Sequence, residues 1–305
     1  MRGSPLAIPA LIMVCIIWGT TYLVILIGVQ TVPPFLFSAI RMVLSSMVLA
    51  VLVIFSPSKV HLNARMIWVN AVAGILFFTL GNGMLGLTEK YIPSGLAALI
   101  FSLLPIWLVL INTLIFRTES INRLIVAGVV LGFIGVMLVF KEHLAELVDR
   151  KYLLAILATI AASLCCVASL LITKHGKPSG NPLMNSAIQM FAGGIGLFLL
   201  NLLFEQNQPA NWTTSSQYAL VYLVVFGSVV GYTCFSYALI HLPVTLLSLY
   251  TYANVLVAVL LGHFVMREKL NSSIFLAVTI TLTGIFLVNS GLTQQKAAIP
   301  EEQDA

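Results

Sequence analysis

Long apolar runs separated by short polar connections make up most of this chain of 305 residues. A helix needs about 20 apolar residues to cross the hydrocarbon core of a bilayer. Ten runs reach about that length: Leu6–Gly28, Pro34–Ser56, Met66–Leu87, Pro93–Phe116, Ile121–Phe140, Tyr152–Thr173, Pro182–Phe204, Tyr218–Ile240, Pro243–Met266 and Ser272–Ser290. The runs are continuous rather than alternating, which excludes membrane β-strands. We therefore predict an all-α membrane protein with ten transmembrane helices.

A nine-residue motif occurs twice, at the start of the second run and of the seventh. Residues 34–42 read PFLFSAIRM and residues 182–190 read PLMNSAIQM, so five of the nine positions are identical. Such self-similarity divides the chain into two copies of five helices. Because five is odd, the second copy must enter the membrane from the opposite side. This predicts two inverted five-helix repeats, an architecture used for alternating access.

The repeat sets the predicted domain boundaries: a first five-helix repeat (1–140), a linker (141–151), a second five-helix repeat (152–291) and a disordered C-terminal tail (292–305). Lysine and arginine in the connections indicate orientation, because these residues are enriched on the cytoplasmic side. With a cytoplasmic N-terminus, eight of them lie on that side and six on the other. We predict a multi-pass protein of the cell inner membrane with both termini in the cytoplasm.

Composition agrees with a membrane setting. The chain is 60% hydrophobic and 8% charged, whereas a soluble domain carries about 25% charged residues. The net charge of +5 comes from basic residues scattered in the connections, so it does not indicate nucleic acid as a partner. All four cysteines lie in apolar runs, which is more typical of helix packing than of a disulfide or metal site.

Small residues recur in the fifth and tenth runs: Gly128, Gly132 and Gly135 in one, Ala277, Thr281 and Gly284 in the other. Such spacing favours tight helix contacts, either within one monomer or between two. The predicted state is a monomer or a weak homodimer, surrounded by membrane lipid.

Arg41 is the one Asp, Glu, Lys or Arg residue clearly inside a run, about 10 Å along the helix from its start. A charge at this depth is costly and needs a reason. It either faces a cavity and attracts an anionic group, or reaches the outer interface, or bonds a neighbouring helix. The repeat places Gln189 at the matching position, which is compatible with each alternative.

Other polar and aromatic groups lie at mid-depth. Asn82 stands between two glycines, and Tyr232 lies at a similar depth in the second half. Pro105 should interrupt the fourth helix. These groups either line a cavity or bond helix to helix. The predicted substrate-binding set is Trp18, Tyr22, Arg41, Phe78, Asn82, Ser102, Tyr232, Ser236, Tyr252 and Asn254.

Catalytic signatures are absent from the sequence: we find no nucleotide-binding loop, no His-Glu metal motif and no Ser-His-Asp set. We therefore predict no enzyme activity, no catalytic residue, no metal and no cofactor. Glu89, Glu119 and Glu268 fall at the ends of runs, where water should keep them charged. Because proton movement through a membrane usually needs a carboxylate or histidine relay, we expect transport that does not depend strictly on a proton.

Short motifs spread over nearly the whole chain carry a family resemblance. They are residues 16–22 (IIWGTTY), Pro33-Pro34 followed by Arg41, residues 81–84 (GNGM), residues 93–95 (PSG), and residues 252–254 (YAN) with Gly262 and Glu268. Together they resemble the drug/metabolite transporter superfamily in its EamA-type branch of ten-helix permeases, especially the YedA-type inner-membrane permeases. The resemblance implies two inverted halves, a central cavity, and export or exchange of amino acids, metabolites or drugs. Val255 and Cys165-Cys166 depart from the family pattern in the presumed cavity wall.

The sequence thus predicts a transporter that moves a small organic solute by alternating access, with efflux or exchange as its direction. One alternative is a metabolite uptake exchanger. Another is a non-transport membrane protein, such as a lipid-modifying enzyme or an assembly factor.

Overall fold

The computed structural model describes residues 6–55, 62–111, 122–142, 149–176, 181–241, 249–266 and 272–298, and these residues form helices and connections with no strand. In chain order the α-helices are α1 (Ala7–Val29), α2 (Pro34–Ile54), α3 (Ala64–Gly74), α4 (Met84–Thr88), α5 (Ser94–Phe101), α6 (Leu104–Ile111), α7 (Arg123–Glu142), α8 (Arg150–Gly176), α9 (Pro182–Phe204), α10 (Thr214–Tyr222), α11 (Gly231–His241), α12 (Leu249–Met266) and α13 (Ser272–Ala298). A π-helical segment, π1 (Ile75–Gly83), joins α3 to α4, and a second, π2 (Leu223–Val230), joins α10 to α11.

Several of these helices have the length and composition of membrane spans. Within the described residues, six continuous helices qualify: Ala7–Val29, Pro34–Ile54, Ala64–Thr88, Arg150–Thr173, Pro182–Phe204 and Thr214–Phe235. Shorter apolar stretches occur in α7, α12 and α13. Large apolar side chains also cover the outside, as Phe198, Leu203 and Phe204 of α9 show with 48%, 73% and 68% exposure. This surface suits lipid rather than water, which confirms the prediction of an all-α membrane protein.

Helix starts follow the local chemistry of the sequence. Pro34 and Pro182 open α2 and α9, where a missing N–H leaves no bond unmade. The Asn63 side chain accepts a hydrogen bond from Met66 N (2.7 Å) and caps α3, and Thr213 caps α10 through Ser216 N (3.2 Å). These caps fix where the chain turns back into the bundle.

Corresponding helices of the two halves run antiparallel against each other. At the start of α2, Phe35 N donates to Glu205 just after the end of α9 (3.1 Å). Further along α2, Val43 packs at Gly194, nearer the start of α9. The pair α7 and α13 behaves likewise, since Asn122 Nδ2 donates to Gly291 O (2.9 Å) while Gly135 lies against Thr281. Antiparallel pairing of equivalent helices is what two inverted repeats require.

The helix contacts also repeat when the halves are exchanged. The first helix of the first half, α1, packs against α11 and α12, and its counterpart in the second half, α8, packs against the equivalent helices α4, α5 and α6. Likewise π1 packs on α9, and π2 packs on α2. The contacts made by one half are thus repeated by the other, which fits the inverted repeat expected from the sequence.

The small residues of α7 and α13 contact each other within one chain, and we call this contact the α7–α13 seam. A β-carbon added to Gly284 would lie 2.5 Å from Gly132 N and 2.6 Å from Gly128 O, so the two backbones are in direct contact there. This contact resolves the predicted alternative for these glycines: their close approach joins α7 to α13 of the same chain.

The fourth predicted helix is interrupted as expected. The helix stops at Phe101 and resumes at Leu104, because Pro105 has no N–H for the preceding turn. The rest of that run, residues 112–116, lies outside the described residues, as do residues 243–248 of the ninth run.

The C-terminal boundary differs from the prediction. A disordered tail was expected from residue 292, but α13 continues to Ala298. The residues after Gly291 include Leu, Gln, Lys and Ala, and the next proline is Pro300. Extending an existing helix through such residues costs little, since nucleation has already occurred.

The π-helical segments were not predicted. They begin at Ile75 and Leu223, the same 148 residues apart as Pro34 and Pro182. A π-helix is rare and often marks a functional site, since it widens the turn and redirects side chains. Both halves carry one at the same place, in the helices that contain Asn82 and Tyr232.

Candidate functional site

An aromatic cluster occupies the interior where helices of both halves meet. The Trp18 ring of α1 lies 5.5 Å from Tyr232 and 5.1 Å from Phe235 of α11, and 5.3 Å from Tyr250 of α12. On the other side of Tyr232, Phe78 and Phe77 of π1 lie at 5.7 and 6.4 Å. We call these six residues the aromatic cluster; they come from four helical elements.

Trp18 is held in a fixed orientation. Its Nε1 donates to Gly227 O of π2 at 3.2 Å. One turn along α1, the Tyr22 ring meets Phe101 edge-on at 6.5 Å, at the break in the fourth helix. Rings held at such distances and angles form a rigid, mostly apolar surface with a few polar edges, which is typical of small-molecule sites.

Arg41 lies beside the aromatic cluster and is 8% exposed. Its Nε donates to Ser228 Oγ of π2 at 3.3 Å, and it is close enough to Tyr232 for an electrostatic interaction. The burial of Arg41 contradicts the alternative in which it reaches the outer interface. The bond to a neighbouring helix is present, although its acceptor is a hydroxyl rather than a backbone carbonyl.

Three other predicted residues donate side-chain hydrogen bonds to backbone carbonyls. Asn82 Nδ2 donates to Phe77 O of its own segment (3.2 Å), and Ser102 Oγ donates to Leu99 O (2.6 Å). With its amide nitrogen turned toward the nearby carbonyls, Asn254 donates to Cys15 O of α1 (3.1 Å) and Tyr250 O (3.0 Å). Asn254 therefore ties α12 to α1 directly behind the aromatic cluster.

Tyr252 and Ser236 belong to α12 and α11, but their side chains lie outside the described part of the chain. The expectation that Asn82, Tyr232 and Tyr252 face one shared cavity thus stays a prediction. Phe78 and Tyr232 do meet in the aromatic cluster, together with Trp18.

The prediction that the carboxylates at the ends of runs lie in water is wrong for Glu89. Glu89 was expected in water at the end of its run, but it is 3% exposed and close enough to Tyr22 to interact electrostatically. The end of α4 packs against α8, whose Thr159 hydroxyl donates to Thr88 beside Glu89 (3.0 Å). Glu119 and Glu268 lie outside the described residues.

Gln189 does not repeat the environment of Arg41. Its Nε2 donates to Asn70 Oδ1 (2.8 Å), and Asn70 Nδ2 in turn donates to Asn185 Oδ1 (2.9 Å). These amides satisfy one another between α3 and α9. The first half thus places a buried charge where the second half has a neutral hydrogen-bonded network.

The predicted substrate-binding set did not include Phe77, Phe235 and Tyr250, which belong to the aromatic cluster. Phe235 follows Tyr232 by one helical turn, so the shared face was a usable signal. Tyr250 and Phe77 come from other helices, and only the relative rotation of those helices brings them to Trp18. Among the described residues no group of three His, Cys, Asp or Glu residues is arranged to hold a metal ion.

Comparisons with known proteins cover nearly the whole chain. The model of the EamA-like transporter family matches it twice, over residues 5–141 and 153–290. The uncharacterized inner membrane transporter YedA of Escherichia coli (strain K12) is 28% identical over 289 residues, covering 92% of this chain and 90% of YedA. Protein PecM of Dickeya dadantii (strain 3937) is 26% identical over 291 residues, 94% of each chain.

A more distant relative and a solved structure also match most of this chain. The uncharacterized transporter YoaV of Bacillus subtilis (strain 168) is 20% identical over 286 residues, 94% of this chain and 97% of YoaV. A solved crystal structure superposes with a TM-score of 0.64 at 18% identity, over 96% of this chain and 99% of the other. At this identity the match indicates a common fold.

Proposed function

Because this chain belongs to the EamA-like transporter family, we propose that it moves a small organic solute across the cytoplasmic membrane by alternating access. Membership identifies a membrane transporter. The solute, the mechanism and the direction, for which we favour efflux or exchange, are the proposal.

The aromatic cluster with Arg41 beside it is the observation that carries the proposal. Flat rings can stack on a planar solute, and a guanidinium adds one point of polar recognition. The contributing elements come from both halves: α1, α2 and π1 from the first, and π2, α11 and α12 from the second. A solute bound there lies between the two halves, where rocking of one half against the other would expose it to each side in turn.

The proposed architecture has ten passes with both termini in the cytoplasm. An even number of passes keeps the termini on one side, and the antiparallel pairing of α2 with α9 and of α7 with α13 fits an inverted second half. The proposed working unit is a monomer, since the α7–α13 seam is satisfied within one chain.

Flux into proteoliposomes tests the proposal. The purified protein is reconstituted and screened with a panel of radiolabelled amino acids, aromatic metabolites and cationic drugs, with and without a pH gradient. We expect saturable flux of at least one solute. Trp18→Ala should reduce it about tenfold or more, since an aromatic contact and its buried area are lost.

Trp68→Ala is the matched control. Trp68 is 71% exposed on the outside of α3, so its loss removes the same side chain without touching the aromatic cluster. Equal effects of both substitutions would move the site elsewhere. Absence of protein-dependent flux across the whole panel would argue against transport and for a non-transport role.

A further inference from the structure

Arg41 is a buried cation, and no charged group among the described residues pairs with it. It is 8% exposed, and the groups that act on it are the Ser228 hydroxyl and Tyr232. Within the described part of the chain, no carboxylate forms an ion pair with it. The Ser228 hydroxyl accepts a hydrogen bond from Arg41, but it cannot neutralise the charge.

Such an arrangement is costly unless something else supplies the negative charge. Removing a cation from water is costly even after the protein relaxes. Charged residues inside membrane segments are accordingly rare and mark sites of function. The negative charge at Arg41 is therefore best supplied by a ligand that binds reversibly.

The geometry of Arg41 suits a planar oxyanion. Ser228 holds Nε, and Nη2 lies against the backbone at Gly227, 3.2 Å from where a β-carbon would stand. The side chain is thus fixed, and its two Nη groups donate to no described residue. A guanidinium with free Nη groups binds a carboxylate through two parallel hydrogen bonds.

The surroundings indicate what the rest of the ligand looks like. Tyr232 interacts with Arg41, and its ring lies 5.5 Å from Trp18 and 5.7 Å from Phe78. A molecule whose oxyanion sits at Arg41 therefore has its body beside the aromatic cluster. That body should be apolar and flat, because rings dominate the surface it meets.

We propose that Arg41 binds the carboxylate of the transported solute, and that this solute is an organic anion carrying an aromatic or similarly flat apolar group. This inference rests on the proposed transport function and names the substrate class for its site.

Matched pairs of small molecules test the inference on the purified full-length protein. Each pair keeps the ring and changes only the charge: benzoate with benzamide, 3-phenylpropionate with 3-phenylpropionamide, and indole-3-acetate with indole-3-acetamide. Affinities are measured by calorimetric titration and by thermal stabilisation in detergent. For at least one pair, the carboxylate should bind about tenfold or more tightly than the amide, because a desolvated charge pair replaces a neutral contact.

Substitutions locate the preference. Arg41→Gln should abolish it, so that the acid and its amide bind equally. Arg41→Lys keeps the charge but loses the two parallel bonds, so the preference should persist with affinity for the acid lowered about tenfold. Lys151→Gln, which removes an exposed cation at the start of α8, should change nothing. Circular dichroism and size-exclusion chromatography confirm that each variant is folded, and Arg41→Lys decides the matter if Arg41→Gln is not.

The opposing results are equally definite. No preference for the acid in any pair, an undiminished preference in Arg41→Gln, or an unchanged affinity in Arg41→Lys would overturn the inference. Flux of neutral or cationic solutes with no preference for acids would do the same and leave the proposed transport intact. Binding of acids through Arg41 without any flux would support Arg41 as the anchor and count against transport.

Discussion

Glu205 joins the end of α9 in the second half to the start of α2 in the first half. Its removal should loosen this junction. Its carboxylate accepts hydrogen bonds from Phe35 N (3.1 Å), Leu36 N (3.2 Å) and Asn201 Nδ2 (3.0 Å). The N-cap residue of α2, Pro33, provides no side-chain cap. Glu205 therefore supplies the missing cap from the second half, and its charge meets the positive end of the α2 dipole.

The size of the effect follows from these contacts. A hydrogen bond to a charged group contributes about 1.5–3 kcal/mol, but the distances here lie at the long end of the normal range. Glu205 is 4% exposed, so water cannot easily replace it. We expect Glu205→Ala to cost about 2–3 kcal/mol, since two backbone donors lose their acceptor. Glu205→Gln keeps an acceptor oxygen and loses the charge, which should cost about 1 kcal/mol.

Two measurements check this expectation. The midpoint of thermal unfolding in detergent should fall most in Glu205→Ala and less in Glu205→Gln. Double electron–electron resonance can measure the distance between spin labels at positions 91 and 207, since Tyr91 and Asn207 are both exposed near this end. In a background without the four native cysteines, this distance should be longer in Glu205→Ala than in the protein with Glu205. A loss of about 2–3 kcal/mol at this junction changes the ratio of separated to joined ends of α2 and α9 by about 30- to 150-fold.

Lys90 provides an independent readout of the Glu205 charge. Partial burial lowers the pKa of Lys90, and the attraction of Glu205 acts in the opposite direction. Glu205→Gln removes that attraction, so the pKa of Lys90 should fall further. Nuclear magnetic resonance of the dimethylated lysine, followed as a function of pH, measures the change.

Gln206→Ala is the control, because Gln206 is the exposed neighbour of Glu205 in the same connection. If Glu205→Ala matches this control in unfolding midpoint and in label distance, the carboxylate contributes nothing to the junction and the reasoning fails.

Three further predictions concern packing, coupling and exchange. Gly284→Val should lower the unfolding midpoint, with a cost of about 3 kcal/mol, because its side chain meets the backbone of Gly132; an unchanged midpoint would show that α7 and α13 can separate freely. A pH gradient alone should drive no uphill accumulation of solute, and Glu89→Gln should leave flux intact; accumulation abolished by an uncoupler and by Glu89→Gln would make that buried residue a proton carrier. Solute-loaded vesicles should take up solute about tenfold faster than empty ones, since an empty carrier must change conformation with Arg41 buried and without the anion of the solute; equal rates would contradict this.

The scaffold was largely predictable because it follows from patterns that a sequence displays directly. Apolar runs of sufficient length give the helices, and an odd number of them in each copy requires inversion. Pro105 interrupts the fourth helix, and the small residues of the fifth and tenth runs meet each other. Each of these is a local property or a property of one pair of helices.

The details that depend on several helices at once were not predictable. Both π segments contain a glycine in close contact with another helix: Gly81 of π1 lies against Cys166 of α8, and Gly227 of π2 lies against Arg41 of α2. Glu89 reads as a helix end but becomes buried, and Glu205 reads as a connection but caps a distant helix. In each case the deciding neighbour lies far along the chain.

Symmetry explains which residues carry chemistry in such a protein. Two copies of one scaffold supply the antiparallel pairs and matched π segments, so these elements need not differ between halves. A solute is not symmetric, however, and a site that orients it must break the repeat. Arg41 and Gln189 occupy matching positions, yet one is a cation beside the aromatic cluster and the other is neutral and satisfied by Asn70. The position where the halves agree in place and disagree in charge is therefore where substrate specificity should be sought, and exchanging these two residues is the most direct way to move it.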